Sequence, residues 1–159
     1  MEKKHKLKKV QLRFVTERNF LSEKPIKTPK DAVDILAQEL KNLPVEHVMA
    51  VFLATDGHPI SCTTVSIGSV NLAMFPIAEI MKGCLLSNAP CVLMMHSHPS
   101  GNVEPSSADL SVTRKLSQAC AIMDIQLVDH IIVGGNSLYS FRDKGLIEQN
   151  TRFLDVAES

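Results

Sequence analysis

This chain of 159 residues lacks most of the features that announce a class of protein. No apolar stretch approaches the ~20 residues that a membrane-spanning helix requires. The opening Met1-Glu2-Lys3-Lys4-His5 has none of the apolar core of a secretory signal. The four cysteines, Cys62, Cys84, Cys91 and Cys120, are widely spaced and form no C-x-x-C pair, which removes the usual redox and zinc-ribbon patterns. They read as small apolar core residues of a protein in a reducing compartment, with cytoplasm as the expected location. Net charge is zero, so no global field favours polyanions or membranes. Internal repeats and low-complexity linkers are also missing.

The charge that is present is unevenly placed. Residues 1–30 hold ten Lys/Arg and three acids, a net +7, and residues 31–159 carry the balancing −7. The basic cluster Lys3, Lys4, Lys6, Lys8 and Lys9 could touch nucleic-acid phosphates. It has no interleaved aromatic for base stacking, so a solvated chain start is the simpler reading.

A length of this order suits one domain with a proper core. Residues 7–15 alternate apolar and basic side chains, which predicts an edge strand that could also pair two copies into a homodimer. Thr28-Pro29 marks a helix start reaching about Asn42, with Val33, Leu36, Ala37 and Leu40 as its apolar stripe. Strands are expected over 45–54 and 60–67, joined at Asp56-Gly57. A helix over 76–87 follows, with Ile77, Ile80, Met81, Cys84 and Leu85 on one face. The all-apolar run Cys91-Val92-Leu93-Met94-Met95 predicts a central strand buried on both faces. A third helix over 106–123 places Leu110, Thr113, Leu116, Cys120 and Met123 inward. Strands over 127–133 and 138–141 close the chain around Gly134-Gly135-Asn136. The order β-α-β-β-α-β-α-β-β defines an α/β or α+β layered domain with a mixed central sheet.

Beyond the central strand comes His96-Ser97-His98-Pro99-Ser100-Gly101, then Ser106 and Asp109. On a strand, His96 and His98 share one face. A turn and a helix start then return a carboxylate, Asp109, to the same strand end. Two imidazoles, one carboxylate and a position left for water make the ligand set of a catalytic zinc site. Each piece also has a plainer reading: strand-end histidines are commonly structural, and Ser106-x-x-Asp109 matches a helix capping box. An apolar strand has no structural need for two imidazoles on one face at its exit, and this favours the metal reading.

The pattern H-x-H-P-x6-S-x-x-D resembles the JAMM motif of JAB (MPN+) metalloproteases. With Leu85-Leu86-Ser87-Asn88-Ala89, Pro105 and Asp129-His130-Ile131-Ile132-Val133-Gly134, the match is closest to the RadC branch and covers about residues 28–147. The resemblance implies a cytidine-deaminase-like JAB fold of three layers. It implies one zinc ion held by His96, His98 and Asp109. Glu46, in Glu46-His47-Val48-Met49, takes the place of the general base, and Ser106 that of the residue supporting the oxyanion. Glu39 and Glu79 compete with Glu46 on spacing alone, and the family pattern ranks Glu46 first.

The expected activity is hydrolysis of a peptide or isopeptide bond. DNA association or nuclease action in repair is the alternative. The expected organisation is a basic segment, 1–27, and a RadC-type domain, 28–159, without the helix-hairpin-helix module often found before it. Two positions depart from the RadC pattern. Ser97 replaces a common Asn, and Ile77 stands where such a helix commonly opens with Pro-Arg. Asp129 and His130 sit on opposite faces of their strand, and His130 reads as a core or supporting residue. His5, His47 and His58 have no partner spacing.

Overall fold

The computed structural model describes residues 9–11, 13, 15–17, 24–40, 44–68 and 75–147. Among these, the elements run α1 (Pro29–Leu40), β1 (His47–Leu53), β2 (Pro59–Ile67), α2 (Ile77–Leu86), β3 (Cys91–Ser97), α3 (Ser107–Ile122), β4 (Gln126–Gly134) and β5 (Ser137–Ser140). The strands form one sheet in the order β2-β1-β3-β4-β5. β1 pairs antiparallel with β2 and β3, β3 pairs parallel with β4, and β4 pairs antiparallel with β5. The parallel step needs a crossover, which α3 supplies. Of the N-terminal strand expected over 7–15, Lys9, Val10, Gln11, Arg13 and Val15 are described and belong to no strand. The rest of that stretch lies outside the described residues.

Local chemistry explains the helix starts. Thr28 Oγ1 accepts the Asp31 N–H at 3.2 Å, and the Asp31 carboxylate accepts the Thr28 N–H at 2.8 Å. This reciprocal cap satisfies two of the N–H groups that open α1, and Pro29 has none to lose.

All seven residues of β3 are buried, and their alternation divides the core in two. Val92 and Met94 join Val48, Ala50 and Phe52 against α2 and α3. Cys91, Leu93 and Met95 join Met49, Val51 and Leu53 against α1. The result is a three-layer α+β domain with helices on both sides of a mixed sheet. Two helix faces differ in detail from the sequence pattern. In α2, Leu85 is exposed while Gly83 is buried. In α3, Leu110 and Met123 are exposed, and Asp109, Val112, Thr113, Leu116 and Cys120 face inward. Rotating Asp109 and Thr113 inward turns Leu110 outward, because those two positions are one helical turn apart. The four cysteines form no disulfide, and burial pushes Cys84 and Cys91 up to about 11 and Cys120 to about 12. These three buried thiols remain protonated packing residues at neutral pH.

α2 packs on β1 through a missing side chain. A Cβ on Gly83 would overlap the tip of the Phe52 ring. Phe52 is itself 1% exposed and cannot swing into solvent. Gly83→Ala should therefore destabilise the protein even though alanine is the better helix former by about 1 kcal/mol, because overpacking costs ~1–3 kcal/mol. A urea midpoint below that of the wild type checks this, and a raised midpoint would show that the α2–β1 contact yields.

Candidate metal centre

The β1–β3 ladder pairs Val48 with His96, so the start of β1 meets the end of β3. Backbone hydrogen bonds fix both ends there. The Glu46 carbonyl accepts the Gly68 N–H at 2.8 Å, and the His47 N–H donates to Ser97 Oγ at 2.9 Å. Ser97, between the two histidines, thus ties their strand to the one bearing Glu46. One residue beyond β3, the His98 N–H donates to the Val133 carbonyl at 2.8 Å and extends the pairing with β4. The turn then passes close over β4. Gly101 has a φ of +80°, and a Cβ on Gly134 would stand 2.9 Å from the Gly101 carbonyl carbon. A side chain at Gly134 would push the His98 turn off the sheet, and one at Gly101 would strain a left-handed backbone.

The hydrogen bonds settle which imidazole nitrogens are available. His98 Nδ1 lies 2.7 Å from the Asn102 carbonyl oxygen, which can only accept. Nδ1 therefore carries the hydrogen and Nε2 keeps its lone pair. His96 Nδ1 lies 3.1 Å from Asp109 Oδ1, and an ionised carboxylate there likewise accepts. His96 Nε2 is buried without a hydrogen-bond partner and sits 3.8 Å from Glu46 Oε2. His98 Nε2 is 3.7 Å from Asp109 Oδ2, beyond hydrogen-bonding distance. Two imidazole lone pairs thus stand close to carboxylates, an arrangement that repels unless a cation lies between them. One donor atom each from Glu46, His96 and His98 falls within 4.8 Å of the others, a cluster able to hold a metal ion. The side chains of His96 and Asp109 are 2% exposed, that of His98 12% and that of Glu46 32%, so the centre opens to solvent on the Glu46 side.

Asp109 belongs to both of its expected settings. Ser106 caps α3: its Oγ accepts the Asp109 N–H at 3.2 Å, and Asp109 Oδ2 accepts the Ser106 N–H at 2.8 Å. The Ser106 hydroxyl also donates to Asp109 Oδ2 at 2.6 Å. Burial opposes charge on Asp109, but the hydrogen bonds from His96 and Ser106 outweigh it and hold the carboxyl below the usual carboxylate range. The capping box and the histidine contacts use the same carboxylate, so neither reading of Ser106-x-x-Asp109 displaces the other.

All five residues singled out from the sequence, Glu46, His96, His98, Ser106 and Asp109, meet at this one place. Glu79 instead pairs with Lys82 at 2.7 Å on the exposed face of α2. Asp129 accepts from Ser140 Oγ, from the Arg142 N–H and from the His130 N–H, and so anchors the turn after β5. Its carboxyl is raised by burial, against those hydrogen bonds. Asn102 and the supporting roles of Thr113 and Ser97 escaped sequence reasoning, which had placed Thr113 inward only as a core residue. Thr113 carried a usable signal, since it lies one turn beyond Asp109 on the same face. Of the basic cluster, Lys3, Lys4, Lys6 and Lys8 lie outside the described residues. No helix among the described residues is long and apolar enough to cross a membrane.

Fold and site together define a JAB-type α+β domain, with its donor cluster at the ends of adjacent central strands. Residues 26–146 match the profile of the RadC-like JAB domain, and the chain belongs to that family. Relatives include a UPF0758 protein of Shouchella clausii, 40% identical over 120 residues, covering 76% of this chain and 52% of the relative. A UPF0758 protein of Chloroflexus aurantiacus is 37% identical over 122 residues, 77% of this chain and 53% of the relative. One from Pelodictyon phaeoclathratiforme is 36% identical over 124 residues, 78% of this chain and 56% of the relative. The chain spans about half the length of these curated relatives.

His130 gives the fold a pH dependence. It is buried, and burial, with repulsion from His96, lowers it to about 3. Unfolding restores the ordinary value of about 6.5, so the unfolded chain binds the extra proton and stability falls as pH drops from there toward 3. The urea midpoint, measured in chelator, should be lower at pH 5 than at pH 7. His130→Phe should narrow that gap, and an unchanged gap would assign it to other groups.

Proposed function

We propose that this domain is a zinc-dependent hydrolase that cleaves a peptide or isopeptide bond. The observation that carries the proposal is the pair of Nε2 lone pairs, freed by partners at Nδ1 and turned toward carboxylates in a half-open pocket. Neutral imidazole and carboxylate are a donor set that suits zinc, and a site with an open position is the catalytic rather than the structural form. His96, His98 and Asp109 would hold the ion. Bound zinc would supply Lewis-acid chemistry, acidifying water to a pKa of about 7 and polarising a carbonyl.

The protein's own groups have distinct tasks. Glu46, on the solvent side, accepts the proton of the attacking water and returns it to the leaving amine. Ser106 stands at the rim, and to support an amide oxygen that gains charge its hydroxyl would turn its one hydrogen away from Asp109 Oδ2. Asn102 holds His98 by its Nδ1 hydrogen and keeps Nε2 directed inward. The sheet and α3 seal the opposite side from water. Peptide and isopeptide bonds present the same amide to these groups, so the choice between them lies with the surroundings of the site. The free thiols fit action in the reducing cytoplasm.

Native mass spectrometry should find one zinc per chain on the wild type and none on the His96→Ala/His98→Ala double variant. Asp109→Asn should also lose the ion. Glu46→Gln should keep it while turnover on peptide or isopeptide substrates falls about 10²–10⁴-fold, the usual range for a lost general base. A wild type that takes up no zinc after reconstitution would overturn the proposal. Cleavage or salt-dependent binding of DNA, with peptides untouched, would favour the nucleic-acid reading.

A further inference from the structure

His130 is held as if it had work to do beyond packing. Its Nδ1 lies 2.6 Å from Thr113 Oγ1, and the Thr113 hydroxyl lies 2.7 Å from the Asp109 carbonyl. The hydroxyl has one hydrogen, and it goes to that carbonyl, which can only accept. Thr113 Oγ1 is therefore the acceptor toward His130, whose Nδ1 carries the hydrogen. The ring is stacked between Phe141, at 4.3 Å and 13°, and His96, at 6.1 Å and 15°. His130 Nε2 is buried without a partner. A side chain kept only for packing would not leave a polar atom bare there, since an apolar ring would fill the space without that penalty.

We propose that His130, acting through Thr113, is a positioning residue of the metal centre. The two hydrogen bonds tie β4 to the first turn of α3, which carries Asp109. The stack sets the plane of the His96 ring from the same side. One buried imidazole thus fixes two groups of the centre from outside it. The tie needs only the single hydrogen at Nδ1. The inference rests on the metal reading given above, and its test separates the two.

Long-range ¹H–¹⁵N spectra of the metal-free wild type should show His130 as the Nδ1–H tautomer. Cobalt(II) titration, in competition with a chelator, should then compare variants that keep or remove the donor. His130→Phe keeps a ring without the hydrogen bond, and Thr113→Val keeps the shape without the hydroxyl. Each should weaken cobalt binding about 10–100-fold, the usual effect of losing such an outer partner, and change the visible band intensities. His130→Asn, with an amide hydrogen near the Nδ1 position, and Thr113→Ser should recover most of the affinity. Thermal unfolding without metal identifies a variant that fails to fold, and the Thr113 pair decides if His130→Phe does. An Nε2–H tautomer, or folded variants that bind cobalt like the wild type with the same spectrum, would overturn this inference alone. A wild type that binds no cobalt would overturn the metal reading and this inference with it.

Discussion

The rest of the centre depends on the hydrogen bonds of one buried carboxylate. Asp109 closes the cap of α3 through Ser106 and reaches His96 with its other oxygen. A buried charge is costly unless its lone pairs are used, and here both oxygens accept from donors. The cap sets where α3 begins, and the same carboxylate sets where α3 stands against β3. Helix register and site geometry therefore cannot change independently. Thr113 extends this constraint by one turn, because its hydroxyl satisfies the Asp109 carbonyl while it accepts from β4.

The strands contribute by register. β3 is central, buried on both faces and paired on both sides, which leaves its exit as the place where side chains can leave the core without breaking the sheet. His96 still belongs to the buried face shared with Val92 and Met94, and two residues on His98 has begun to reach solvent. Glu46 approaches from the opposite direction at the start of β1. Two antiparallel strands thus bring a base candidate and ligand candidates together without a long loop. The most precise part of the site lies on the most rigid part of the fold.

Much of this was legible in the residues. The all-apolar run 91–95 pointed to a central strand, and Thr28-Pro29 marked the start of α1 because a capping hydroxyl and an imino acid have few other uses at that spacing. The His96/His98 pair stood out because imidazoles are out of place at the end of an apolar strand. Other parts were hidden. Thr113 was expected inward and is, but the outward turn of Leu110 depends on the rotation of α3, which tertiary contacts fix and a weakly amphipathic sequence does not. The Asn102 contribution is a backbone carbonyl, which no side-chain pattern can reveal. Ser97 appeared only as a departure from a family pattern, and its bond to the His47 N–H emerges once β1 and β3 are paired. His130 and Asp129 are neighbours in sequence with separate duties, one facing the centre and one holding a turn.

The ladder that joins the start of β1 to the end of β3 also separates two kinds of change. Glu46 and the histidines keep their spacing through main-chain bonds, which are indifferent to most side chains around them. The segment that leaves the sheet after Ile67 can vary in length and composition without moving those groups. The turn after His98 is not free in the same way, because the Asn102 carbonyl holds the imidazole and Gly101 lies close against β4. Such an architecture divides change: the donor cluster is kept by the sheet and its first turn, and the exposed borders beyond them are left to vary. A lineage built on it can alter its borders with no need to rebuild the centre.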